Sequence, residues 1–196
     1  MLTDLMKKHV APLLKQRGFK KKNLTWNKSK DGVIQVVDFQ LSRFNSDGEE
    51  DFTINLGVFD SQVWKKCWGK ESPKFIKEED CFLRIRAGRL LNKLSEKTID
   101  HWWACNSNTN ESEFGKEIKV LLEEKCLSFL DDMLDQNKVV KFYFSNFKHL
   151  MPIEKIYLAI IQHSVGDVHS CDELLSEVAA NSKAWATRVE QVRSRI

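Results

Sequence analysis

Hydrophobic and polar residues alternate most regularly between Leu24 and Phe59. Two extended runs, Leu24–Lys30 and Val33–Phe44, flank Asp31-Gly32, and a third, Phe52–Phe59, follows the acidic loop 45–51. Asp-Gly between extended runs predicts a type I′ turn, which needs positive φ at both central residues. With those two residues in the turn, Lys30 faces Val33, Trp26 faces Val37 and Leu24 faces Phe39. Side chains alternate along a strand, so Leu24, Trp26, Val37 and Phe39 share one face, continued by Leu41. The other face carries Thr25, Asn27, Asp38, Gln40 and Ser42, together with Ile34 and Val36. In the third run Phe52, Ile54, Leu56 and Val58 fall on one side, and Thr53, Asn55, Gly57 and Phe59 on the other. One apolar and one mixed face describe an antiparallel sheet covered by helices on one side.

The flanking pattern is helical. Leu2, Leu5, Met6, Val10, Leu13 and Leu14 predict a helix over residues 3–17 that Gly18 ends, with a kink or break near Val10 because of Pro12. Lys20-Lys21-Lys22 reads as a basic turn in water. Asp60 is placed to cap a short helix through Trp68, and residues 69–79 look irregular. A strand at Cys81–Arg86 would set Phe82, Arg84 and Arg86 on one face and Cys81, Leu83 and Ile85 on the other, with the arginines on the polar side. Ile99–Cys105 reads as a last strand or an aromatic edge. Glu111 to Leu134 predicts a long helix ended by Asn137, and Val139–Leu150 has no clear period. Beyond it, Pro152 suits a first helical turn, Ser170-Cys171-Asp172-Glu173 matches a capping box, and Ser182 is placed to cap a third helix. The sum is an α+β fold: an antiparallel sheet of four to five strands backed by helices over residues 1–136, and an all-helical extension over 137–196.

Composition narrows the class. Of 196 residues, 42% are hydrophobic and 3 are proline, which excludes a disordered chain. No run is long and apolar enough to span a bilayer. Five cysteines without a Cys-x-x-Cys pair suit a reducing compartment, so a cytoplasmic location is expected. The net charge of +3 is unevenly spread. Residues 1–31 hold nine lysines and arginines against two aspartates, and residues 111–136 hold eight acids against three lysines. The two segments are able to pair with each other or to address different partners.

The polar sheet face collects the candidate binding residues: Asn27, Asp38, Gln40, Ser42, Asn55, Arg84 and Arg86. Arginines offer planar forks for carboxylate or phosphate, and amides and hydroxyls orient a ligand. His163, His169 and Cys171 match no standard zinc spacing, so no metal site is assigned. There is no Gly-x-Ser-x-Gly, phosphate loop or dinucleotide fingerprint, so no catalytic residue and no cofactor is assigned.

Residues 14–22 (Leu14-Lys15-Gln16-Arg17-Gly18-Phe19-Lys20-Lys21-Lys22), Trp26, residues 37–44 with Gln40-Leu41-Ser42, and residues 52–58 with Asn55-Leu56-Gly57 occur in an order that resembles a bacterial family of domains of unknown function. In that family a helix ending in Gly-Phe precedes strands with Gln-x-Ser and Asn-Leu-Gly. The Arg84/Arg86 strand and Trp102-Trp103 fit the same pattern, which covers residues 1 to about 130. The resemblance implies no catalytic residues. It is similar in style to small domains found beside bacterial toxin systems, many of which act as immunity proteins. The expected function is therefore non-enzymatic recognition of a protein partner, with a toxin as the candidate. The alternatives are a nucleic-acid-associated module using the basic N-terminus and an unrecognised hydrolase using Asp38 and the arginines.

Overall fold

The Asp31-Gly32 reversal forms as its chemistry predicts. In a computed structural model, which describes residues 2–46, 48–91 and 101–196, φ is 52° at Asp31 and 85° at Gly32. The hairpin joins β2 (Thr25–Lys30) to β3 (Val33–Leu41), with Lys30 opposite Val33 and Trp26 opposite Val37. An edge strand β1 (Lys20–Lys22) precedes it, and β4 (Phe52–Asp60) and β5 (Leu83–Arg86) follow. All neighbours are antiparallel and the order is β1-β2-β3-β4-β5, so the sheet is a simple meander. The lysines therefore pair as a strand instead of forming a turn. All three stay exposed, as charge on a sheet edge does when it blocks further pairing.

One row crosses the apolar face through Trp26, Val37, Leu56 and Ile85, all buried. The same core takes in α1 (residues 2–16), whose central turn Met6–Val10 widens into a π segment closed by the Ala11 N–H on the Met6 carbonyl. This is the distortion expected of Pro12. The ring cannot approach the carbonyl four residues back, and one extra residue in the turn relieves the clash without breaking the helix. Gly18, at φ 87°, closes α1: its N–H reaches the Lys15 carbonyl and the Phe19 N–H reaches Leu14, which turns the Phe19 ring into the core. The Gly-Phe pair is thus a helix stop with an apolar anchor.

After β4, Asp60 caps α2 (Ser61–Trp68), its carboxylate accepting from the Gln62 and Val63 N–H groups at 2.7 and 3.2 Å. A single turn, α3 (Gly88–Leu91), follows β5. The expected strand near Cys105 is present as isolated pairing of Trp103 with Phe52, and Ile99-Asp100 lie outside the described residues. The long helix α4 (residues 111–132) packs on α1 and carries its own π segment at Leu122–Cys126. It ends at Asp132, not at Asn137. Asp135 instead caps the next helix by accepting the Asn137 N–H at 2.8 Å, because a carboxylate satisfies a first-turn donor better than an amide two residues later ends a helix.

The C-terminal part is all-helical: α5 (Gln136–Ser145), α6 (Pro152–Ser164), α7 (Val168–Asn181) and α8 (Lys183–Arg193). Pro152 opens α6 as predicted. Helix α7 starts before the Ser170 box, since Asp167 accepts the Ser170 N–H at 3.1 Å. Ser182 occupies the position before α8 but its hydroxyl makes no cap bond. These helices share one continuous apolar core with the sheet, from Leu2 to Val192. Helix α8 grips the end of α2: Arg188 lies 4.5 Å from the Trp68 ring centre and donates to the Cys67 carbonyl, which Arg195 also reaches.

All five cysteines are buried and free. Burial pushes the Cys67 and Cys126 thiols from about 9 up to about 12. A thiol raised on folding favours the folded state fully below its unfolded value, and that contribution is lost as pH rises towards the folded one. Stability should therefore fall above about pH 9, by up to ~1.4 kcal/mol per pH unit for each thiol. Urea midpoints taken from neutral to alkaline pH check this, and a flat profile would contradict it.

Candidate functional site

The polar face divides along its length. Near the turn, Val36, Phe59, Ile76 and Cys81 form a second small core, with Ile34 and Trp64 against it. Residues 70–81 cross the sheet to cover this end. Asn27 fixes that crossing with both halves of its amide: Nδ2 donates to the Ile76 carbonyl at 2.9 Å and Oδ1 accepts the Ile76 N–H at 3.0 Å. Gly57 lets the crossing chain come close, since a Cβ there would lie 2.5 Å from Cys81 Sγ. Cys81 is thus on the polar-face side and Phe82 in the main core, the reverse of strict alternation. The short helical turn Glu78–Asp80 precedes them, so the strand pleat begins only at Leu83.

At the far end the face is open. A cross-sheet row runs Lys22, Thr25, Asp38, Asn55, Arg86. Thr25, Asp38, Gln40 and Asn55 floor a cleft of about 410 Å³, walled by Phe75, Lys77, Glu78 and Glu79 with Lys22, Asn23 and Arg84 at its sides. The floor is a hydrogen-bonded chain. Thr25 Oγ1 donates to Asp38 Oδ1 at 2.7 Å, and Asn55 Nδ2 donates to Asp38 Oδ2 at 3.3 Å and to Gln40 Oε1 at 3.0 Å. On the wall, Arg84 forks onto Glu78, with Nε and Nη2 at 2.7 and 2.8 Å from its two oxygens. That paired hydrogen bond raises the Arg84 pKa further above its ordinary value. Lys77 pairs with Glu79 at 3.1 Å. Lys22 leans over the Phe75 ring at 5.6 Å.

Of the seven residues picked from sequence, Asp38, Gln40, Asn55 and Arg84 therefore meet in the cleft. Asn27 holds the crossing segment beside it. Ser42 lies past the end of β3, where its hydroxyl accepts the Phe44 N–H. Arg86 packs 5.5 Å from the Trp102 ring centre. The wall residues Phe75 to Glu79 were not legible as a site because their stretch has no period. The run Lys77-Glu78-Glu79-Asp80 after an aromatic-aliphatic pair was the one available signal.

The basic N-terminus and the acidic segment pair with each other. Lys8 meets Glu111 at 2.7 Å, and Arg17–Glu123 and Lys28–Asp131 lie at 3.8 Å. These are solvent-exposed pairs that contribute little to stability, but they set the charge of this face. Trp26, the aromatic residue beside the basic run, is fully buried and offers no ring for a base to stack on.

A family model described as a domain of unknown function, DUF4304, matches residues 10–132. The chain belongs to the DUF4304 family. The DUF4304 match runs from within α1 to the end of α4 and so takes in the whole sheet and every residue of the cleft. Helices α5 to α8 lie beyond it. No curated protein and no solved structure matches the chain.

Proposed function

We propose that this DUF4304 protein is a non-enzymatic recognition domain that binds a protein partner through the polar cleft, in the manner of an immunity protein neutralising a bacterial toxin. The observation that carries this reading is the state of the cleft itself. Its amides are fixed by one another, and Arg84 and Lys77 are paired with Glu78 and Glu79. Such a surface is pre-organised to exchange hydrogen bonds with a complementary one, which lowers the ordering cost of binding. Asp38 accepts from Thr25 and Asn55 while Arg84 is held by Glu78, so each is already engaged within the cleft. The mutual pairing of the N-terminal lysines with α4 and the burial of Trp26 argue against a nucleic-acid surface there.

Gln40 is exposed and Arg84 about half exposed, so both can be truncated without opening the core. Gln40→Ala and Arg84→Ala should each weaken partner binding at least about tenfold, or ~1.4 kcal/mol, while the melting temperature moves by no more than about 4 °C. Side-by-side affinity capture from the native host with wild type and both variants, followed by binding isotherms on the captured protein, measures this. Unchanged affinity at unchanged stability would remove the cleft from the function.

A further inference from the structure

The charges of the cleft wall pair off one by one, which among the described residues leaves Asp38 on the floor and Lys22 at the side outside any ion pair. Glu78 is taken by Arg84 and Glu79 by Lys77. Asp38 is partly buried, and among the described residues no cation lies within ion-pair distance of it. Lys22, the remaining cation of the lining, sits against the Phe75 ring. Among the described residues the Asp38 carboxylate is oriented by neutral donors, one per oxygen: the Thr25 hydroxyl on Oδ1 and the Asn55 amide on Oδ2.

A carboxylate oxygen accepts two hydrogen bonds, so each oxygen of Asp38 keeps one acceptor position. Thr25 and Asn55 stand on the flanking strands, opposite Asp38 on either side. They hold the carboxylate in a fixed plane at the bottom of an open cleft. A planar fork of two N–H donors is the group that fills two parallel positions on one carboxylate, and a guanidinium supplies the fork together with a positive charge in contact with Asp38.

We propose that the cleft receives an arginine side chain of the partner, with its guanidinium bidentate on Asp38. The inference rests on the recognition reading given above and adds the chemistry of what is recognised. Arginine is also the cation most enriched at the centres of protein interfaces, where a fixed, partly desolvated carboxylate gives it the largest return. Phe75, over which Lys22 leans, lines the cleft beside the floor and offers apolar contact to the methylene stem.

The test uses the full-length, isotope-labelled protein and two probes, N-acetyl-arginine amide and its neutral isostere N-acetyl-citrulline amide. The side-chain amide resonances of Asn55 and Gln40 are followed through each titration. A ligand of about fifteen heavy atoms binds in the millimolar range, so the arginine probe should shift both resonances saturably there. The citrulline probe should bind at least about tenfold more weakly, and Asp38→Asn should abolish the difference between the two. Equal responses to both probes, no response to either, or a difference that survives in Asp38→Asn would overturn the assignment. The citrulline comparison needs no variant and so stands even if Asp38→Asn folds poorly. Capture of a partner that is lost with Gln40→Ala but kept at full affinity with Asp38→Asn would refute the arginine site while leaving the cleft as the binding surface.

Discussion

Replacing Trp26 by alanine should destabilise the protein by about 3–5 kcal/mol, the usual cost of deleting a large aromatic ring from a core. The ring is fully buried in the cross-sheet row that continues through Val37, Leu56 and Ile85, and Lys21 on β1 covers it from the edge with its ammonium 5.3 Å from the ring centre. Domains of this kind are stable by only about 5–15 kcal/mol, so the variant should sit close to its unfolding threshold. Trp26→Phe should be much milder. Among the described residues the indole N–H meets no acceptor, so phenylalanine removes a desolvated donor along with part of the ring area. Ser29→Ala, three residues on and exposed, should change stability by no more than about 0.5 kcal/mol. Urea titrations of the three variants check the order. A Trp26→Ala cost below about 1 kcal/mol would mean that the sheet does not present this residue to the core.

The second large effect concerns the helical extension. Tyr143 on α5 is buried, its ring edge-on to Phe142 at 6.3 Å, and its hydroxyl donates to the Phe82 carbonyl at the entry to β5. Burial drives its pKa well above the ordinary tyrosine value, so the hydroxyl stays a donor across the usable pH range. Tyr143→Ala should therefore cost about 3–5 kcal/mol. Tyr143→Phe keeps the ring and should still cost ~1–3 kcal/mol, because the Phe82 carbonyl loses this buried donor. Both variants should unfold in one transition, since the extension and the sheet share a continuous core. Two separated transitions, or a negligible cost for Tyr143→Ala, would show the extension to be merely appended.

Both effects trace back to how much of the fold the residue pattern specifies. The hairpin was legible because two independent signals agree: Asp31-Gly32 demands a reversal, and the alternation on either side then has only one register that buries Trp26 with Val37. Gly18, Asp60 and Pro152 were legible for the same reason, each being a residue whose backbone or capping chemistry fits few positions. Strand β1 was not, because three lysines show no alternation and only the free edge of β2 makes them a strand. The ends near Asn137 and Ser170 shifted because a nearby aspartate, Asp135 or Asp167, competes for the same N–H groups.

The site was half legible. Asp38, Gln40 and Asn55 follow from register alone. Arg84 follows from alternation, but its partner Glu78 comes from a segment without period. What converts a polar face into a cleft is the crossing of residues 70–81, and that depends on Asn27 and Gly57, whose roles appear only once the chain is folded over them.

The most direct test of the recognition surface is an amide chemical-shift map of the isotope-labelled protein titrated with its captured partner. The largest changes are expected at Thr25, Asp38, Gln40, Asn55 and Phe75, with α1 and α4 silent. Changes concentrated around Lys8 and Arg17, with the cleft unmoved, would contradict the account.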